Sequence, residues 1–164
     1  MDLTGIAGWM VTTPISAFVN DHGWVWPTAE IVHFVGLALV VGIAGTFDLR
    51  LLGFARQVPV GALNALIPWA VVGLVLNTIT GVLFVFGVPS RYLSNPAFGL
   101  KVLFLALAGL NVMVFNLVVS RKTLTVGAGG DTPIAAKVIA ATSLICWFAV
   151  MFFGRMLPYL GDAF

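Results

Sequence analysis

The stretch 26–47, WPTAEIVHFVGLALVVGIAGTF, decides the fold because it is long, apolar and interrupted by only two ionisable side chains, Glu30 and His33. A helix needs about 20 such residues to cross the ~30 Å hydrocarbon core of a bilayer. Three further stretches of this kind follow, at 65–88, 98–120 and 134–156. Their apolar runs are continuous, unlike the alternating pattern of a membrane β-barrel. The sequence therefore predicts an all-α integral membrane protein with four spans.

The composition agrees with a protein whose main partner is the lipid bilayer. Of the 164 residues, 60% are hydrophobic and 9% are charged, and the mean hydropathy is +1.09. A soluble domain carries about 25% charged residues, so a water-soluble globule is excluded, and a disordered chain would be far less hydrophobic. A thinly spread net charge of +2 excludes nucleic acid as a partner. The single cysteine, Cys146, excludes an intramolecular disulfide.

The first 23 residues differ from the rest and predict two short helices. Residues 1–20 contain no Lys or Arg, so they do not resemble a secretory signal. Leu3, Ile6 and Trp9 recur at helical spacing, and Pro14 suits the first turn of a second helix. We expect residues 1–23 to form interfacial amphipathic helices on the membrane surface, followed by a four-span bundle over residues 24–164.

Basic residues predict the orientation of the chain. They concentrate in the loops after the first and third spans, at Arg50, Arg56, Arg121 and Lys122. By the positive-inside rule these loops are cytoplasmic, which places both termini on the periplasmic side of a bacterial inner membrane.

Short connections between the spans predict an up-and-down four-helix bundle, in which small residues such as Gly36 allow close helix approach. At the end of the first span, Asp48 and Arg50 predict an interfacial salt bridge and a positive-inside anchor.

Candidate functional residues are the ionisable side chains inside the spans, because such groups are costly in a membrane and rarely accidental. Glu30 and His33 lie three residues apart and share one helix face, with Gly36 one turn further along. His33 is about 10 Å below the outer boundary at 1.5 Å per residue. Lys101 and Arg155 fall in the same outer layer. The sequence predicts one convergent polar site there.

The same residues carry a family resemblance. The run Trp26 to Gly36, closed by Asp48-Leu49-Arg50, resembles a family of small uncharacterised bacterial four-helix inner-membrane proteins with a Glu-x-x-His-x-x-Gly and Asp-Leu-Arg pattern. Phe98 to Lys101 with Asn111 is similar to their third helix. More distantly, a histidine in one span and a lysine opening another are similar to copper-resistance protein D and to the membrane protoporphyrinogen oxidase, a haem-associated enzyme. The oxidase's His-rich pattern is not present.

These features lead us to expect haem b in the outer layer, because haem stands between bundle helices with its iron on imidazole and its propionates near basic groups. His33 is the expected iron ligand, and Gly36 would leave room for the ring. Lys101, Arg91 or Arg155 would meet the propionates. Glu30 would accept the other ring proton of His33.

The sequence leaves the second axial ligand of the iron, opposite His33, open. His22 would have to fold down from the outer loop; otherwise a methionine, Lys101 or a neighbouring subunit would serve, or the iron stays five-coordinate. The expected activity is electron transfer or haem-linked redox chemistry, with a redox partner subunit or a homo-oligomer.

Three other interpretations stay open at this point. Copper(I) handling or transport would use soft ligands, and the chain offers Met10, Met113, Met151 and Met156, scattered among different depths. A non-catalytic accessory subunit would pack against a larger membrane complex and carry no chemistry of its own. His33, Glu30 and Lys101 could also form a purely structural polar cluster.

Overall fold

The computed structural model describes residues 3–160, and within that range the secondary structure is entirely helical. In chain order the helices are α1 Leu3–Val11, α2 Pro14–Asp21, α3 Val25–Leu52, α4 Val60–Asn64, α5 Ile67–Gly87, α6 Pro89–Leu93, α7 Pro96–Val118, α8 Ser120–Thr123 and α9 Ile134–Leu160. Helices α3, α5 (extended by α4), α7 and α9 are each long and apolar enough to cross a membrane. The prediction of an all-α four-span bundle is confirmed, and the protein is a multi-pass membrane protein.

The spans pack as two antiparallel hairpins. Helix α3 pairs with α5, α7 pairs with α9, and α3 also packs against α9, whereas α5 and α7 make no extended contact within residues 3–160. The bundle is therefore open on the side between α5 and α7. We name its two ends by residues: the Glu30 end, where α3 and α7 begin, and the Arg50 end, where they finish.

Two glycines set the contact between α3 and α5. A Cβ on Gly36 would lie 2.5 Å from Asn77 Nδ2 and 2.8 Å from Gly73 O, and a Cβ on Gly73 would lie 2.6 Å from Gly36 O. Only glycine allows this approach, so the prediction that Gly36 permits close helix packing is confirmed. Gly42, on the same helix, has no atom within 4 Å of its Cβ position, so it does not take part in this contact.

Helix α3 runs beyond the predicted boundary at residue 47 because the Arg50 guanidinium is bonded inside the protein. Its Nε donates to Val58 O at 2.6 Å, and its Nη2 lies 3.2–3.3 Å from the carbonyl oxygens of Arg56, Gly127 and Gly130. Arg50 is only 1% exposed and ties the α3–α4 loop to the α8–α9 loop.

The predicted salt bridge between Asp48 and Arg50 is wrong: the two side chains form no ion pair in the described part of the chain. Residues two positions apart do not face each other on a helix. Asp48 is buried, its carboxylate interacts with Ser143 of α9, and its Oδ2 has no hydrogen-bond partner.

At the Arg50 end, Asp131 of the α8–α9 loop pairs with two cations. It accepts from Lys137 Nζ of α9 at 2.8 Å and lies 3.5 Å from Arg56 Nη2. The hydrogen bond from Lys137 lowers the pKa of Asp131 below its ordinary value. The Asp131 carboxylate therefore stays ionised at neutral pH.

At the Glu30 end the two predicted N-terminal helices are present, and Thr13 caps α2 ahead of Pro14 as the sequence indicates. They pack on α5: Asn20 Nδ2 donates to Gly87 O at 3.1 Å, and a Cβ on Gly87 would lie 2.9 Å from Val19. Their position on the membrane surface stays a prediction. Residues 1–2 and 161–164 of the two predicted domains lie outside the described residues.

Gly36→Ala should force α3 and α5 apart and lower the free energy of unfolding by about 1–3 kcal/mol, because the new methyl group meets backbone as well as a side chain. Thermal unfolding in detergent measures the effect. Gly42→Ala is the matched control on the same helix, where the space is open and alanine is the better helix former. Equal destabilisation by both substitutions would contradict the close contact.

Candidate functional site

A cavity of about 530 Å³ lies between the two hairpins at the Glu30 end. All four spans line it, and α1 and α6 add Met10 and Tyr92. Most of its lining side chains are apolar, and its volume falls in the range of small-molecule sites, about 300–1,000 Å³. Four of the polar residues singled out by the sequence line it: Glu30, His33, Lys101 and Arg155.

Three charged side chains form a layer near the mouth of the cavity. Glu30, Lys101 and Arg155 each lie five residues from the end of their own helix, at Val25, Pro96 and Leu160. At 1.5 Å per residue that is a depth of about 7.5 Å for all three. The structure thus brings these residues and His33 into one cavity, as the depth counting indicates; their function stays a prediction.

The α7/α9 hairpin holds the two cations in place. Asn95, buried at the start of α7, accepts from Ala97 N at 2.9 Å and donates to Leu157 O of α9 at 2.9 Å. This bond fixes the register that sets Lys101 beside Gly154, where a Cβ would lie 3.5 Å from Lys101 Nζ. The Arg155 guanidinium lies 5.8 Å from the centre of the Tyr159 ring.

Glu30 has a different partner from those expected. It accepts a hydrogen bond from Trp26 Nε1 at 3.0 Å, one turn back on α3. It forms neither an ion pair with Lys101 nor a hydrogen bond with His33 within residues 3–160. The expectation that Glu30 takes the ring proton of His33 is wrong, because the carboxylate turns toward the indole.

His33 is bonded to Thr80 of α5 instead. The distance from His33 Nδ1 to Thr80 Oγ1 is 2.7 Å, and the Phe84 ring centre lies 5.5 Å from the imidazole. The Thr80 hydroxyl has one hydrogen, which Leu76 O accepts at 2.7 Å. With that hydrogen on Leu76 O, the hydroxyl oxygen accepts from His33 Nδ1, and this arrangement leaves Nε2 as a lone-pair nitrogen.

His22 and Gly36 are not brought into the cavity. His22 stays at the surface of the Glu30 end, with Nδ1 3.1 Å from Phe18 O and its ring against Phe18 and Trp24. Gly36 is buried against Gly73, so it makes room for a helix and not for a ligand. His22 is held away from the cavity by its contacts with Phe18 and Trp24, and Gly36 is covered by the neighbouring helix α5.

The sequence did not point to Thr80 or to Tyr92. Thr80 contacts His33 and lies three residues from Asn77, which lines the cavity, and that polar spacing inside an apolar span is a usable signal. Tyr92 carries no such signal because it lies in the short helix α6. Burial raises the pKa of Tyr92, with the charge of Arg91 opposing and that of Glu30 adding to the rise. Its hydroxyl therefore remains a hydrogen-bond donor at neutral pH.

Metal ligands of the usual protein kinds do not cluster. Within residues 3–160 no three His, Cys, Asp or Glu side chains come close enough to hold a metal ion together. Asn111 of α7 donates to Ile139 O of α9 at 3.1 Å and so joins the two helices.

Comparisons with protein-family models, with curated proteins and with solved structures found no match.

Thr80→Val should remove the acceptor of the His33 Nδ1 proton and release the imidazole to its other neutral tautomer, at a cost of about 1 kcal/mol for the lost hydrogen bond. Nitrogen NMR of ¹⁵N-histidine-labelled protein measures the tautomer, and a His22→Gln background leaves a single histidine. Thr78→Val is the control, since that hydroxyl bonds only to Leu74 O. An unchanged tautomer in Thr80→Val would contradict the assignment.

Proposed function

We propose that this protein binds haem b in the cavity at the Glu30 end, with His33 Nε2 on the iron. The observation that carries the proposal is the fixed imidazole: Thr80 holds Nδ1, so Nε2 presents its lone pair beside an apolar, ligand-sized cavity. A metal-bound histidine typically donates its other ring N–H in this way, which orients the ring and strengthens the ligand.

The donor set favours a metal that arrives with ligands of its own. One imidazole alone does not make a stable site for a bare ion, whereas a porphyrin supplies four nitrogens and needs the protein only at the axial positions. The cavity walls match its apolar ring. Lys101 and Arg155, one helical turn nearer the mouth, match its propionates by charge, and the Tyr92 hydroxyl adds a neutral donor.

Bound haem would supply one-electron chemistry between ferric and ferrous iron. The chain's own residues hold the group, orient the imidazole and exclude water from the apolar walls. We infer a role in electron transfer or haem-linked redox chemistry, with a redox partner subunit or a second copy of the chain as the partner. The distant similarity of His33 in one span and Lys101 opening another to the membrane protoporphyrinogen oxidase, a haem-associated enzyme, supports this direction.

Copper(I) is the second candidate, and one observation favours it. Met10 and Met151, distant in the sequence, both line the cavity that contains His33. Thioether sulfur and imidazole nitrogen are ligands that copper(I) accepts. The two candidates use the same histidine and differ in the metal, so one measurement separates them.

Protein purified in detergent from haem-replete cells should show a Soret band, and His33→Ala should lose both the band and the haem. His22→Ala should leave the spectrum unchanged, because His22 lies outside the cavity. Pyridine haemochrome analysis and elemental analysis provide the two readouts.

A colourless wild-type protein that contains copper would replace the haem proposal with the second candidate. A colourless, metal-free protein would overturn both. A His33→Ala variant that keeps its haem would move the iron ligand away from His33.

We further propose a bacterial inner membrane with both termini on the periplasmic side. The loops at the Arg50 end contain the exposed basic residues Arg56, Arg121 and Lys122, which is typical of a cytoplasmic face. An alkaline phosphatase fusion at the C-terminus should be active, and one after Lys122 should be inactive. The reverse pattern would place the haem cavity on the cytoplasmic side.

A further inference from the structure

The cavity has two walls of different composition, one from each hairpin. The α3/α5 wall presents His33, bonded to Thr80. The α7/α9 wall presents Lys101, Trp147, Met151 and Arg155. A planar ring held between two walls has one face toward each, so the partner of His33 across the iron must come from the α7/α9 wall.

Depth separates the candidates on that wall. His33 lies eight residues inside the Val25 end of α3, about 12 Å deep, and Met151 lies nine residues inside the Leu160 end of α9, about 13.5 Å deep. The two therefore occupy the same layer to within about 1.5 Å. Lys101 belongs to the charged layer, about 7.5 Å deep, where a propionate is the better partner.

Met10 does not lie on the wall opposite His33. It comes from α1, which packs on α6 and α5 and not on the α7/α9 hairpin. Met113 and Met156 do not line the cavity. Trp147 has only an N–H donor and offers no lone pair to a metal. Among the described cavity residues, Met151 alone combines the right wall, the right depth and a neutral donor atom.

We infer that Met151 is the second axial ligand of the haem, opposite His33. The inference rests on the proposed function, and it assigns the site a mixed imidazole and thioether coordination. The methionine side chain is unbranched with three rotatable bonds, so its sulfur can adjust to the iron without moving α9. A thioether ligand also favours ferrous iron and raises the reduction potential, which suits a group that accepts an electron.

Met151→Leu tests the inference because it keeps the size of the side chain and removes the sulfur. The wild-type haem should be low-spin with the near-infrared band of thioether-to-iron charge transfer. In Met151→Leu that band should disappear, the iron should become five-coordinate and high-spin, and the haem should stay on His33. Met151→His should restore a six-coordinate, low-spin iron with the magnetic resonance signature of two imidazoles.

Two controls separate a ligand from a packing residue. Met113→Leu replaces a sulfur on the outside of α7, where Met113 is 52% exposed, and should change nothing. Met10→Leu removes the other sulfur of the cavity and should keep the thioether band.

The outcomes distinguish this inference from the proposed function. Wild-type protein without haem overturns the proposed function and the inference with it. Haem that is five-coordinate in the wild type, or a thioether band that survives in Met151→Leu or vanishes in Met10→Leu, overturns the inference alone. If Met151→Leu does not fold, Met151→His decides: the signature of two imidazoles supports the assignment, and five-coordinate iron overturns it.

Discussion

The close contact between Gly36 and Gly73 is the constraint on which the cavity depends. With no Cβ on either residue, the α3 and α5 backbones meet in a register in which a Cβ on Gly36 would lie 2.8 Å from Gly73 O and one on Gly73 would lie 2.6 Å from Gly36 O. That register sets His33 against Thr80 one turn nearer the Glu30 end. The position of the imidazole is thus a consequence of backbone packing, and its tautomer follows from the threonine that the packing supplies.

At the Arg50 end, hydrogen bonds from a buried side chain hold the bundle together. A buried guanidinium joins two loops through four carbonyl oxygens, which satisfies backbone acceptors that lie beneath the apolar core of Phe47, Leu51 and Phe115. Arginine is suited to this task because its donors spread in a rigid planar fork. The bundle is therefore tied together by polar bonds at one end, and at the other end it diverges around the cavity.

The sequence predicts some levels of this structure well and others poorly. Length and hydropathy predict four spans, Pro14 predicts the start of a second N-terminal helix, and counting residues from the helix ends predicts that Glu30, Lys101 and Arg155 share a layer. Depth along a helix axis is available from sequence because the rise per residue is constant.

Rotation about the helix axis is not available in the same way, since it depends on which side chains interdigitate. For that reason the predicted side-chain partners were wrong. Glu30 forms its hydrogen bond with Trp26, His33 forms one with Thr80, and Arg50 donates to loop carbonyls instead of pairing with Asp48. Each error concerns the direction of a side chain, and none concerns its depth.

The open side between α5 and α7 has a consequence for how the cavity exchanges its contents. Its edges carry Val82 and Val102, both about half exposed, so the cavity has a side opening toward hydrocarbon in addition to its charged mouth. Through that opening a compound enters by dissolving in the bilayer first, and occupancy by this route follows the mole fraction of that compound among the lipids. Solubility in oil then becomes part of the apparent affinity for any ligand that enters from the side.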